Sequence, residues 1–202
     1  MEFHLIARDL NGLPIGRHQF IVIITDGVRS FRLLHSKKLI TSRRIGSKYG
    51  VVLGAHNIKV TQQSKYNRLT FIPFEPVDFT SAVEYFGGAP SLLAGQFGYQ
   101  IPQGKQFYPN STTSDEDLAE QILKAIDYYV VNEENFPIAY PLPWFGKNSN
   151  SWVNSILDVV SIRKNVGLAD FDGADAAHDV RIDTMYFKGK CQRCKIQNPA
   201  YR

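Results

Sequence analysis

Three strand-type runs follow one another in the first 35 residues, and they constrain the fold more than any other feature of the chain. The runs cover Phe3 to Asp9, His18 to Thr25 and Val28 to His35. Each is rich in β-branched and aromatic residues, and residues typical of turns separate them. Strands joined by short turns pair in antiparallel fashion. The sequence therefore predicts a central antiparallel sheet.

A hairpin is the expected link between the second and third runs, because Asp26-Gly27 is a preferred two-residue turn. An ideal turn of this type places His18 opposite His35, at the end of an otherwise apolar face. Two imidazoles at such a position can serve as a general base and its orienting partner. A purely structural role is the alternative for each histidine. His56, in a turn predicted at Gly54 to Asn57, is the reserve candidate.

Two helices are predicted in the second half of the chain. Ser114 and Asp117 form a capping-box pattern, and apolar residues recur behind them at helical spacing up to Tyr129. The second helix is expected to begin at Asn148 or Ser149 and to end at Gly167, and it has the same apolar periodicity.

The rest of the chain completes an α+β fold, with helices packed on the central antiparallel sheet. Short strands are predicted at Val51 to Leu53 and at Leu69 to Phe74. Residues 87–114, rich in Gly, Pro, Ser and Thr, predict a long loop or lid. A length of 202 residues fits one domain over residues 1–202, with a basic tail at 188–202.

Composition limits where the protein is expected to work. The longest apolar strand candidate, Phe20 to Ile24, is far shorter than the roughly eighteen residues of a membrane-spanning helix. The chain starts without the basic head and long apolar run of a signal peptide. We expect a protein that is cytoplasmic in its producer unless a dedicated secretion system exports it.

Sequence motifs for common cofactors are absent. The sequence contains no GxGxxG, P-loop or HExxH pattern. Its two cysteines, Cys191 and Cys194, form a CxxC pair near the end of the chain without a second pair, so a complete zinc site is not expected there. The motifs thus predict neither a cofactor nor a metal ion.

Charge is distributed unevenly along the chain, although the net charge is only +4. The segment from Gly27 to Phe74 contains ten basic residues and no acidic one, whereas the remainder has thirteen basic and nineteen acidic residues. The two parts therefore carry +10 and −6. The basic segment is expected to attract an anionic substrate or partner. Nucleic acid is a weaker candidate, because no recognised nucleic-acid-binding motif is present.

The segment Gly146 to Trp152 places hydroxyl and amide side chains at the predicted start of the second helix. The free N–H groups of a helix start stabilise negative charge, so Ser149 could act as a nucleophile there and the N–H groups could hold an oxyanion. The alternative is ordinary helix capping, for which Asn and Ser are preferred residues.

The order of these features resembles the circularly permuted papain-like superfamily, which includes NlpC-type peptidoglycan peptidases and lecithin:retinol acyltransferase-like enzymes. His18 matches the strand histidine of that pattern, His35 the polar residue of the next strand, and Ser149 stands where the nucleophilic cysteine would be. The resemblance implies a permuted papain-like fold and an amide hydrolase acting on bacterial cell-wall peptides. In that mechanism His18 takes the proton from Ser149 and His35 orients the imidazole.

The same resemblance leaves other functions open. The chain could be an exported antibacterial effector, for which the producing cell would need an immunity protein. Serine lacks the reactive thiolate of cysteine, which is the main departure from the family pattern. A non-catalytic binding module that uses the basic segment, and a lipid acyltransferase or esterase, are therefore the alternatives.

Overall fold

The computed structural model describes residues 1–10, 16–59, 67–140, 147–162 and 181–189. Strands and helices are numbered separately in chain order. The strands are β1 (Glu2–Asp9), β2 (Arg17–Thr25), β3 (Ser30–Arg32), β4 (Leu39–Thr41), β5 (Arg43–Ile45), β6 (Lys48–Ile58), β7 (Asn67–Pro73), β8 (Gln103–Phe107) and β9 (Ala139–Tyr140). The helices are α1 (Pro76–Tyr85), α2 (Asp115–Asn135), α3 (Ser149–Val159) and α4 (Met185–Lys188).

Seven of the strands form one antiparallel sheet. Its order is β8-β1-β2-β6-β7-β9, with β5 paired to β6. Strand β2 lies at the centre and all nine of its residues are buried. Strands β3 and β4 form a separate antiparallel ribbon. The predicted antiparallel sheet and the α+β class are confirmed.

Helices cover both faces of this sheet. Alternate residues of a strand point to opposite faces. On β2, Ile21 and Ile23 pack in the larger apolar core, which includes residues of α2 and α3. Phe20 and Val22 pack in a smaller core with Ala82 of α1. Helix α1 therefore covers one face, and α2 and α3 cover the other.

The predicted hairpin after β2 is wrong. Strand β2 pairs with β1 and β6, while β3 pairs with β4. The physical reason is burial: β6 contributes the fully buried run Val51 to Leu53, whereas two of the three residues of β3 are exposed. The more apolar strand occupies the position beside β2. The cross-strand neighbour of His18 is therefore Arg8 and not His35.

Other local predictions are corrected or confirmed by the structure. Gly54 to Asn57 lie within β6 and form no turn. Helix α1 was not expected, and residues 87–114 include β8, which pairs with β1. Helix α3 ends at Val159, and the predicted end at Gly167 lies outside the described residues.

Both predicted helix starts are confirmed. Ser114 caps α2 in a capping box with Asp117, and Asn148 caps α3. Cys191 and Cys194 lie outside the described residues. Within the described residues, no helix is both long enough and apolar enough to cross a membrane.

Candidate functional site

A group of polar side chains, most of them buried, lies on the face of the sheet that α1 covers. Arg8 comes from β1, His18 from β2 and His56 from β6, and all three share the orientation of the smaller apolar core. The ladder between β2 and β6 ends at the pair Ile21 and Leu53, and both histidines lie beyond that point.

The fourth member, Asp78, is placed by the start of α1. The Glu75 side chain caps this helix by accepting hydrogen bonds from the backbone N–H groups of Val77 at 2.9 Å and Asp78 at 3.0 Å. Pro76 occupies the first helical position, where its missing N–H costs nothing. Asp78 therefore sits in the first turn, where the helix dipole favours a negative charge.

One carboxylate oxygen, Asp78 Oδ2, is shared by the two histidines. It lies 3.0 Å from His18 Nε2, which forms a hydrogen bond to it. It also lies 2.9 Å from His56 Nε2, but the ring N–H does not point at the oxygen, so this second contact is not a hydrogen bond. The two imidazole rings are 4.6 Å apart between centroids.

The other carboxylate oxygen is held by arginine. Arg8 Nε donates a hydrogen bond of 2.7 Å to Asp78 Oδ1. A second nitrogen of the guanidinium lies 3.8 Å from Glu75 Oε2, so Arg8 faces two carboxylates. Asp78 is fully buried, and a buried carboxylate is costly without such a partner. The Arg8 charge thus balances the charge that the fold places inside the protein.

The electrostatics of the site favour an ionised Asp78 beside a neutral His18. Burial raises the pKa of Asp78, but the neighbouring His18 and Arg8 act in the opposite direction, and the pKa is held well below its usual value. Burial lowers the pKa of His18 to about 4, although the Asp78 charge acts in the opposite direction. At neutral pH the site therefore presents a carboxylate and an uncharged imidazole.

Glycine at position 54 keeps this site open. A Cβ atom placed on Gly54 would lie 2.5 Å from Asp78 Oδ2 and 2.8 Å from His56 Nε2. Both distances are shorter than heavy atoms tolerate, so any other residue would displace the two side chains. This glycine is thus explained by space beside the site and not by a turn.

Ser149 lies on the first turn of α3. In the described part of the chain, its Oγ donates one hydrogen bond, of 3.5 Å, to Asn150 Oδ1. Asn150 joins α3 to β2, because its side chain donates to the Arg17 carbonyl at 2.8 Å and accepts from the Gln19 N–H at 2.9 Å. Helix α3 packs on the face opposite to the one toward which His18 points. Within the described residues, Ser149 and His18 share no hydrogen bond.

His35 lies in a different part of the molecule. Its ring stacks on Tyr128 of α2 at a centroid distance of 4.6 Å, and its backbone N–H donates to Asp127 Oδ2 at 2.7 Å. Its placement follows from the missing hairpin, since β3 belongs to the separate ribbon. The structure does not bring His35 to His18.

The structure thus unites His18 with the reserve candidate His56, and adds Asp78 and Arg8, which the sequence did not single out. A neutral imidazole oriented by a carboxylate can transfer protons. The ligand atoms of His18, His56 and Asp78 also lie within 4.8 Å of one another, close enough to bind one metal ion. No family model, no curated protein and no solved structure matches the chain.

Proposed function

We propose that this protein is a hydrolase whose reacting centre is formed by His18, His56 and Asp78. The observation that carries the proposal is the convergence of two imidazoles on one buried carboxylate oxygen, at 3.0 and 2.9 Å. His18 and Asp78 are buried and have shifted pKa values, and such groups are typical of catalytic sites. A purely structural ion pair would need only Arg8 and Asp78, and it would not require the two histidines beside them.

His18 is the proposed base. An ionised carboxylate can only accept hydrogen bonds, so the 3.0 Å contact requires the proton of the neutral His18 ring to be on Nε2. The lone pair is then on Nδ1, where it can take a proton. Asp78 orients the ring and stabilises the imidazolium that forms, as the aspartate of a catalytic triad does.

The proposed substrate is an amide bond in a bacterial cell-wall peptide. This substrate class comes from the resemblance to the permuted papain-like peptidases, and the basic segment 27–74, which includes His56, suits a substrate with free carboxylates. The proposal extends to an exported antibacterial effector whose producer is protected by an immunity protein.

Water is the proposed nucleophile. His18 removes a proton from water, the resulting hydroxide attacks the carbonyl carbon, and the C–N bond breaks as the proton passes to the departing amine. A role for Ser149 in the attack stays a prediction from the sequence. Its Oγ hydrogen-bonds to Asn150 and its helix packs on the other face of the sheet.

The variant Ser149→Ala separates these two mechanisms. If water is the nucleophile, we expect hydrolysis of purified peptidoglycan within a factor of about two of the wild-type rate. The measurement is the release of new amine termini, with mass spectrometry of the fragments to identify the bond. A loss of about 100-fold or more, or an acyl adduct on Ser149 in the intact mass, would instead support the serine mechanism.

A non-catalytic binding module is the second candidate. The observation that favours it is a set of exposed cations on and beside the β3–β4 ribbon: Arg32, Lys37, Arg43 and Arg44. Binding of an anionic polymer that weakens steeply with salt, without turnover of wall peptides, would support this function over hydrolysis.

A further inference from the structure

We propose that His18 Nε2, His56 Nε2 and Asp78 Oδ2 bind one divalent transition-metal ion of the zinc class. This inference deepens the proposed function and rests on it for its chemical purpose. One ligand atom from each of the three residues lies within 4.8 Å of the other two, and Asp78 Oδ2 is 3.0 Å from His18 Nε2 and 2.9 Å from His56 Nε2. Tetrahedral zinc holds such ligands about 3.3 Å apart, given bonds of about 2.0 to 2.1 Å. Small side-chain shifts would therefore admit an ion.

An unsatisfied nitrogen points to the same position. His56 Nε2 is buried and has no hydrogen-bond partner among the described residues, although it lies 2.9 Å from Asp78 Oδ2. A buried polar atom without a partner is costly, and a metal ion bound by the nitrogen would remove that cost. The space is also kept free, because a Cβ on Gly54 would come within 2.8 Å of this nitrogen and 2.5 Å of the oxygen.

Neighbouring charged side chains support the three atoms as they would support the ligands of a metal ion. Arg8 Nε holds Asp78 Oδ1 at 2.7 Å, which orients the carboxylate and leaves Oδ2 for the ion. Glu75 lies 3.8 Å from the Arg8 guanidinium and offsets part of the positive charge that would face the ion. Metal ligands are commonly supported by such outer contacts.

Two imidazoles and one carboxylate leave a coordination position open. Catalytic zinc sites have this form, with three protein ligands and one water. The His56 side chain is 12% exposed while those of His18 and Asp78 are almost fully buried, so the open position is expected on the His56 side.

The ion would change how water is activated. Coordination through Nε2 requires the His18 proton to move from Nε2 to Nδ1. The bond from Nε2 to the ion then replaces the hydrogen bond from His18 to Asp78. A bound ion would lower the pKa of its water toward neutrality, so that the water loses a proton to solvent and the hydroxide attacks the same amide carbon. The C–N bond then breaks as the departing amine takes up a proton from solvent. Activation then passes from the imidazole to the metal.

Zinc titration of the full chain tests this inference directly. The protein, carrying Cys191→Ser and Cys194→Ser to remove other thiolate ligands, is stripped with chelator and titrated with ZnCl₂ in a calorimeter. We expect one equivalent to bind, and His56→Ala to weaken that affinity by at least about 100-fold. His35→Ala, which changes a histidine outside the cluster, should bind zinc like its parent.

Unchanged affinity in His56→Ala, or no stoichiometric binding to its parent, would overturn the inference. His56→Gln provides a second variant of similar size if the alanine variant does not fold. Hydrolysis that continues in chelator by a chain that binds no zinc would overturn the metal site and leave the proposed function standing. One zinc bound by the three ligands without any hydrolysis would support the metal site and overturn the proposed function.

Discussion

Replacing Asp78 with Asn is expected to lower the rate of peptide hydrolysis by about 10²- to 10⁴-fold, the usual contribution of a positioned acid–base group. The amide cannot stabilise an imidazolium on His18, and it is a far weaker ligand for a metal ion than a carboxylate. The same change removes the negative charge that lies 2.7 Å from the buried Arg8 guanidinium. The variant should therefore also lose stability.

A double variant separates these two effects. Arg8→Met with Asp78→Asn removes both charges, and a buried ion pair replaced as a unit is often tolerated. We expect the free energy of unfolding to recover toward the wild-type value, while hydrolysis stays at the level of Asp78→Asn. Recovery of activity together with stability would show that Asp78 serves only the fold.

Replacing Arg8 alone with Met is expected to destabilise the protein by about 3 to 5 kcal/mol, the cost of breaking a buried ion pair from one side. Arg8 is 7% exposed and Asp78 is fully buried, so solvent cannot replace the lost partner. Urea denaturation monitored by circular dichroism measures the change in the free energy of unfolding.

An exposed ion pair gives the matched control. Lys48 Nζ lies 2.7 Å from Glu2 Oε2, but both side chains are more than one third exposed. Lys48→Met should therefore cost less than about 1 kcal/mol. A similar small cost for Arg8→Met would mean that Asp78 gains little from the guanidinium, contrary to the electrostatic account of the site.

Local sequence patterns were sufficient for the elements that local interactions determine. The capping box of Ser114 and Asp117 and the cap at Asn148 were readable because a cap joins residues three positions apart. The first two strands were readable from their β-branched residues. Such patterns do not identify the partner of a strand.

The predicted hairpin is wrong because local patterns do not identify the partner of a strand. Asp26-Gly27 is a preferred two-residue turn, yet the chain only bends there, and Thr25 Oγ1 donates to the Gly27 carbonyl at 2.7 Å. The place beside β2 belongs to β6, whose buried run matches the burial of β2 on both faces. The burial gained by pairing β2 with β6, which is distant in sequence, thus outweighed the local turn preference of Asp26-Gly27.

Two of the four residues of the candidate site could be predicted from the sequence. The sequence predicts His18 and His56 as candidates, but Asp78 is 60 residues from His18 along the chain and no sequence pattern links the two. A signal did exist: Glu75-Pro76 followed by Asp78 is a typical helix start with a first-turn acid. Recognising α1 would have placed a carboxylate at a helix start, but only the fold shows which strands it faces.

Hydrolysis by His18→Ala, compared with His4→Ala, tests the central claim most directly. His4 is the matched control because it is also a buried histidine on the α1 face, packed against Tyr85 and Phe86 and bonded to Glu2. With purified peptidoglycan as substrate, we expect His18→Ala to lose at least about 100-fold in rate and His4→Ala to remain near the wild-type rate. The rates are compared at a temperature at which both variants are folded. Equal rates would contradict a reacting centre at His18, His56 and Asp78.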